Sequence, residues 1–376
     1  MKLYSRVIIS ILVCMVMLIQ AGCWDMKLYE EIGFILQFGF ENGPDGELII
    51  SMTTPVVMPD AEKTAEILTI DGETLIRSAR EKLRNQSGKM LQGGKAQHVV
   101  FSEELAKSEG IFGYLQVFIR NPENPMLANV VVVKGSPKEM MELSLDYVDK
   151  PRPAYYIAYL LQDAHRRNAI PDYRVFNFSI DHYSGTIDPV TPYMTYDDKS
   201  LEVIGSAVFS GDKMTGSIDI RQSMLLNCLI GNKEAFEYIY EGMMPGEDKE
   251  VRKEGAAFMV RNSKRSIDID TGGEVPVVNI RMRLKAIMDE YSGEERLIKP
   301  EVKAGLEEIF EQDIEKQTIK LLKYLQSVGS DPVGFGELVR AYDNKYWKTV
   351  DWREVYKDAE FRVDVDMILE FYGAIE

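Results

Sequence analysis

Cysteine and histidine are scarce in this chain: three of each in 376 residues. Cys14 and Cys23 lie near the amino terminus, so Cys228 stands alone in the remainder and an intrachain disulfide framework is excluded there. Its neighbours in SMLLNCLIG are mostly apolar, so it reads as a small buried hydrophobe. His98, His165 and His182 have no metal-ligand spacing. No Cys-x-x-Cys, His-Glu-x-x-His or Gly-x-Ser-x-Gly occurs, which removes the common zinc, redox and serine-hydrolase signatures. His98, in GGKAQHVVF, is expected to be packed and hydrogen-bonded within a strand. His165, in QDAHRRN, is expected on a solvated helix face. Gly93-Gly94-Lys95 lacks Walker spacing and is followed by no Ser or Thr. Asp268-Ile269-Asp270-Thr271-Gly272 fails the calcium-loop pattern at its glycine and reads instead as a strand entering a Gly-Gly turn. No catalytic residue, metal ligand or cofactor site is therefore expected. A carboxylate pair of glycosidase type stays open, because separation in space is not legible in sequence.

Basic charge is also in deficit. The chain has 44 Lys and Arg against 60 Asp and Glu. Without Lys2 and Arg6 the balance is 42 against 60, a net charge of −18. That argues against a nucleic-acid partner and against electrostatic adhesion to an anionic membrane, so no basic membrane-facing surface is expected.

Long apolar runs are absent except at the start, MKLYSRVIISILVCMVMLIQAGCWD. Lys2 and Arg6 precede an apolar stretch from Val7 to Ile19, broken only by Ser10. A spanning helix needs about 20 apolar residues, so this stretch has the length and flanks of an export signal. Ala21-Gly22 then place small residues before Cys23. Bacterial lipoproteins are cleaved before a cysteine bearing a diacylglyceryl group. The expected division is thus a signal over 1–22 and a mature chain that begins at a lipidated Cys23. Gln20 departs from the usual apolar residue three positions before that cysteine. An uncleaved anchor and a freely secreted protein remain open, and all three readings export the chain. Two acyl chains hold a protein at a membrane where one is marginal.

The rest alternates strand and helix patterns without repeats. Ile32–Phe40 and Glu47–Met52 flank the turn residues 41–46 and suggest a hairpin. Leu75, Ile76, Ala79 and Leu83 recur at helical spacing. His98–Phe101 reads as a strand, and Ser102 caps a helix whose apolar stripe runs on through Ile111, Tyr114, Leu115 and Phe118. Val130–Val133 is a buried strand, and Ser136, Pro137 and Glu139 form a capping box. Residues 183–200, with Gly185, Pro189 and Pro192, look like an exposed joint. Beyond it, strands are expected at Val203–Phe209 and Gly216–Ile220. A helix is expected over Met224–Tyr240, then long strands at Ala256–Ile269 and Val275–Tyr291. A long helix over Lys303–Gln326 carries Leu306, Phe310, Ile314, Leu321 and Leu325 on one face. Asp331-Pro332 caps a further helix, and Phe361 to Leu369 alternates as a closing strand. The expected class is α+β, multi-domain, with mixed or antiparallel sheets flanked by helices. The units are an amino-terminal α/β domain over 23–190, itself open to subdivision, and a carboxy-terminal α+β domain over 200–376 that contains the long helix.

These residues resemble the Ger(x)C family, the C-subunit lipoproteins of bacterial spore germinant receptors. The resemblance runs from Gly22-Cys23-Trp24-Asp25 and Glu31 through GETLIRSAREKL, KAQHVVFSEELAKSEGIFGYLQVFIRNPENP and VVVKGSPKEMMEL. It continues in LEVIGSAVFSGDKMTGSI, Glu290, Asp331 with Gly334-Phe335-Gly336, and YWKTVDW with Trp347 and Trp352, to Gly373. Gly205-Ser206 departs from the Gly-Thr or Gly-Leu more usual there. The resemblance implies a non-enzymatic subunit tethered by Cys23 to the outer face of the cytoplasmic membrane, which is the inner membrane of the spore. There it acts with the A and B membrane subunits in nutrient-triggered germination. The alternative is a lipid-anchored solute-binding protein of a transporter. Trp347 and Trp352 with Tyr346 and Tyr356 then read either as core or as a contact for the other subunits. Trp24 is expected at headgroup level.

Overall fold

The computed structural model describes residues 2–371 except 20–30, 45, 57–63, 73–74, 122, 148–149, 246–250, 294–296 and 298. Cys23, Trp24 and Gly373 lie outside the described residues. The initial apolar run forms helix α1 (Lys2–Ile19). Among the described residues no helix is long and apolar enough to cross a membrane.

The expected first strand divides into β1 (Ile32–Phe34) and β2 (Gln37–Asn42), followed by β3 (Leu48–Pro55) and β4 (Ala65–Asp71). The hairpin is present as the antiparallel β2–β3 pair. The split arises because Ile35 turns its N–H to the Gln92 carbonyl, so β1 leaves the main ladder. Helix α2 (Ile76–Ser87) buries Ile76, Ala79 and Leu83, while Leu75 stands before it, 65% exposed. Next come β5 (Met90–Gln92), the parallel partner of β1, and β6 (His98–Ser102).

The stripe after Ser102 folds as two helices, α3 (Glu103–Ser108) and α4 (Phe112–Arg120). Gly110 separates them at φ +87, where an added Cβ would lie 2.7 Å from Asp212 Oδ2. Ile111 N–H binds the Asp212 carbonyl at 3.0 Å, so a distant turn takes the amide that a continuous helix would have used. Then follow β7 (Asn129–Val133), α5 (Pro137–Ser144), α6 (Pro153–Arg166), α7 (Val175–Ser184) and β8 (Val190–Tyr196). At α5, Ser136 Oγ accepts Glu139 N–H at 3.0 Å, as the capping box requires. Tyr196 completes the box from afar: its Oη accepts Ser136 N–H at 3.0 Å and donates to Glu139 Oε2 at 2.6 Å.

Residues 183–200 are not an exposed joint. Its middle, Val190–Tyr196, is β8, which pairs in parallel with β7 and antiparallel with β9 (Leu201–Ser210). Thr191 and Met194 are fully buried. Pro192 is tolerated because it precedes the two residues, Tyr193 and Met194, that pair with β7. With β10 (Lys213–Asp219) the strands form an eight-stranded mixed sheet, ordered β10-β9-β8-β7-β6-β2-β3-β4.

The helix expected over Met224–Tyr240 is also revised. Helix α8 (Ile220–Ile230) stops at Gly231, φ +99, and Phe236–Pro245 is strand β11. Phe236, Tyr238 and Tyr240 are buried while Glu237 and Ile239 are exposed, a period of two in place of 3.6. Strands β12 (Val251–Asp270) and β13 (Val277–Tyr291) form the expected long hairpin. Asp268 and Asp270 stand in β12 as strand residues. The long helix α9 (Pro300–Ser327) precedes α10 (Phe335–Tyr342), α11 (Asn344–Trp347), α12 (Trp352–Tyr356) and β14 (Glu360–Phe371). The second sheet is ordered β11-β12-β13-β14, with β14 parallel to β13. Phe310 of α9 packs on Phe258 and Tyr240, with ring centroids 4.8 and 5.4 Å apart. The α+β class with mixed sheets and one long carboxy-terminal helix is thus observed, and a continuous apolar core runs through both sheets.

Candidate functional site: a buried carboxylate clasp

The carboxy-terminal motifs converge on Asp331. After α9, Ser330 and Asp331 are drawn inside, 0% and 4% exposed. Asp331 Oδ1 accepts the N–H groups of Gly334 and Phe335, each at 3.0 Å. Its Oδ2 accepts Gly336 N–H at 2.8 Å and Trp352 Nε1–H at 3.1 Å. The carboxylate therefore satisfies the orphan amides at the start of α10, where negative charge is favoured. The glycines have separate reasons. Gly334 sits at φ +77. A Cβ on Gly336 would lie 2.6 Å from Trp352 Cδ1. Tyr356 Oη donates to the Ser330 carbonyl at 3.1 Å, so Trp352 and Tyr356 are both core residues of this site.

A second carboxylate, Asp188, arrives from the segment before β8 and is 5% exposed. Its backbone N–H donates to the Asp331 carbonyl at 3.0 Å, and its Oδ2 accepts Asp331 N–H at 2.9 Å. Asp188 Oδ1 accepts Gly211 N–H at 2.7 Å and Arg353 Nη2–H at 2.9 Å. Arg353 also donates to Ser210 Oγ at 2.6 Å. Thr186 reaches Glu337 of α10 at 2.6 Å. The cluster thus ties the β8 entry and the β9–β10 turn to the helices after α9. Burial pushes Asp331 up to about 6, against the Gly336, Phe335 and Trp352 donors that hold it down, and Asp188 adds like charge. The oxygens of Asp331 are occupied by N–H donors, so the arrangement fixes geometry and offers no poised general base.

The other candidates lie apart. His98 is fully buried, with Nε2 3.0 Å from the Ala154 carbonyl and Nδ1 3.4 Å from Asn129 Nδ2. Burial lowers its pKa to about 4, so it is a neutral packed histidine, as expected. His165 lies on α6, as expected, and is half-buried there. Cys228 is buried and free, its thiol pushed up to about 12 by desolvation. Tyr346 and Trp347 are half-buried, so the aromatic cluster read from the sequence divides in two. Among the described residues no group of three His, Cys, Asp or Glu could hold a metal ion. Asp188 and Arg353 were not legible as site residues: Asp188 is 143 positions from Asp331 and carries no local signature.

The sequence matches two family descriptions in tandem. Residues 25–196 match "Spore germination protein N-terminal domain" and residues 204–373 match "Spore germination B3/GerAC like, C-terminal". The chain belongs to the GerAC/GerBC-like family of spore germination proteins, the C subunits of germinant receptors. Similar members include spore germination protein GerQC of Bacillus cereus, 24% identical, with 94% of this chain and 96% of that protein covered. Spore germination protein B3 of Bacillus subtilis (strain 168) is 20% identical, with 94% and 95% covered. The crystal structure of the GerBC protein has the same fold, with TM-score 0.54 and 17% identity over 88% of this chain and 96% of that one. The two family regions abut where β8 meets β9, adjacent strands of one sheet.

Proposed function

We propose that this protein is a non-enzymatic, lipid-anchored C subunit of a germinant receptor. Cys23 carries the diacylglyceryl group and holds the chain at the outer face of the cytoplasmic membrane, the inner membrane of the spore. There it works with the receptor's A and B membrane subunits in the response to nutrients. The observation that carries this reading is the family match, in order, from residue 25 to 373, directly behind the sequence Ala21-Gly22-Cys23. The units 23–190 and 200–376 are proposed as units of sequence that share the eight-stranded sheet. The sheet orders of the two halves differ, which gives no support to the two matching lobes of a solute-binding protein. The test is expression in a host that attaches diacylglyceryl. Wild type should yield an acylated peptide beginning at Cys23 and remain with membranes, whereas Cys23→Ala should yield neither. Unmodified wild type would falsify the tether. Co-purification with the A and B subunits tests the partners separately.

A further inference from the structure

The acidic net charge hides a local exception. Residues 76–89 carry five basic side chains and one acidic side chain, Glu81. Ile76, Ala79 and Leu83 turn inward on α2, which places Arg77, Arg80 and Arg84 together on the flank beside that buried stripe. Arg77 and Arg84 are exposed and Arg80 is half-exposed. Arg120, at the end of α4, joins Arg77 and Arg80 around a groove of about 640 Å³ floored by Phe38, Val117 and Phe118.

This face extends sideways into an apolar one. Helix α4 packs on α7, with the Phe112 and Tyr183 ring centroids 5.1 Å apart. Helix α7 buries Val175, Phe178 and Ser179 and turns Phe176, Ile180 and Tyr183 outward, 47%, 50% and 69% exposed. Leu75, at the head of α2, is also exposed. Helices α2, α4 and α7 therefore form one layer, with arginines at one side and aromatic and aliphatic side chains at the other. Arginine for phosphate, with Tyr, Phe and Leu beside it, is the composition of a surface that rests in a headgroup region.

The attachment of the chain favours the same placement. Strand β1 pairs Ile32 with Met90, next to the carboxy-terminal end of α2. The nine residues from Cys23 to Ile32 can extend no more than ~30 Å. A lipid on Cys23 thus keeps Ile32, and with it the carboxy-terminal end of α2, within that distance of the bilayer. We infer that the outward layer of α2, α4 and α7 is a docking face for anionic phospholipid headgroups, with Arg77, Arg80, Arg84 and Arg120 as the phosphate-binding side chains. The inference rests on the proposed acylation of Cys23 for proximity, and on the arginine layout for the choice of headgroup.

The test is arginine footprinting with phenylglyoxal, read by mass spectrometry. The acylated chain is placed on vesicles of phosphatidylcholine, alone or mixed with phosphatidylglycerol. Labelling of the four arginines should fall several-fold only on the mixed vesicles, and high salt should restore it. Arg261 and Arg281, exposed on the second sheet, should label equally on both. The Cys23→Ala chain separates the two ideas. It should lose flotation with neutral vesicles yet float with anionic ones at low salt. Arg77→Glu with Arg80→Glu should cut that flotation by at least ~25-fold, about fivefold for each arginine lost. Equal labelling on both vesicle types overturns the proposal and would leave the face to an acidic protein partner. Absence of acyl mass on wild type overturns only the tether.

Discussion

Glu311 of α9 accepts the backbone N–H of Met367 at 2.7 Å. Glu315 does the same for Val365 at 3.0 Å, and Glu307 for Leu369 at 2.7 Å. Glutamates at i, i+4 and i+8 share one helix face, and alternate amides of a strand share one edge, so two different periods meet in register. Strand β14 ends its sheet, and the carboxylates take the place of a missing neighbour. Unpaired strand edges invite association with other chains.

Glu307→Ala, Glu311→Ala and Glu315→Ala combined should therefore lower stability by about 1 kcal/mol per lost bond and promote self-association. Glu311→Gln keeps a carbonyl acceptor and should stay near wild type in both respects. Denaturant titration and light scattering read the two effects. A triple variant that stays monomeric and fully stable sinks the edge-protection argument.

Asp331→Asn is expected to destabilise by about 3 kcal/mol, because an amide NH2 would face N–H donors already aimed at that oxygen. Asp188→Asn should be costly too, with the double variant losing less than the sum of the singles, since the two acids share one cluster. Strict additivity in urea denaturation would mean that the clasp is not a unit.

His98 provides the pH test. Its pKa is about 4 when folded, below the usual 6.5. The unfolded chain therefore binds more protons across that window, and stability falls as pH drops from 6.5 towards 4. Between pH 7 and 5 the loss is about 2 kcal/mol. Asp331 acts with opposite sign. Its raised pKa contributes stability below the unfolded value that is lost as pH rises through about 6. The difference in unfolding free energy between wild type and His98→Gln isolates the histidine. A difference that does not change with pH would refute its neutral burial.

Much of the architecture was legible where a single period dominates. The α9 stripe, the β14 alternation and the Ser102 cap all appear as the residues suggest. Period failed at Met224–Tyr240 because aromatic residues two apart follow directly on a true helix end. Composition failed at 183–200, where two prolines and a glycine suggested a linker. Val190, Thr191 and Tyr193 are strand formers, and with Met194 they are buried by neighbours distant in sequence. The Asp331 half of the clasp was legible as a cap, whereas its Asp188 half depends on tertiary contacts alone.

That burial makes the β8 region resistant. Chymotrypsin finds Tyr193 and Tyr196 in sequence, but under native conditions it should cut neither until the sheet opens, and the Thr191 and Met194 amides should exchange slowly. Residues 200–376 expressed alone should aggregate, because β9 would lose β8 and expose an edge. A soluble, cooperative fragment would show that the second unit does not need the shared sheet.

Gly336 gives the sharpest test of the clasp geometry. A methyl group there would sit 2.6 Å from Trp352 Cδ1 and 2.7 Å from its Nε1, the atom that donates to Asp331. Gly336→Ala should therefore push the indole away and break that hydrogen bond, at a cost of about 1–3 kcal/mol. Trp352→Ala removes both the clashing edge and the donor, and should itself cost about 3–5 kcal/mol for the lost ring and the Asp331 oxygen left short of a partner. If the contact is the cause, adding Gly336→Ala to Trp352→Ala should cost little more. The four stabilities then form a cycle whose coupling is of order 1 kcal/mol. Tryptophan emission should shift to the red in Gly336→Ala as the indole meets water. Additive losses with unchanged emission would place the strain in the α10 backbone and not at Trp352.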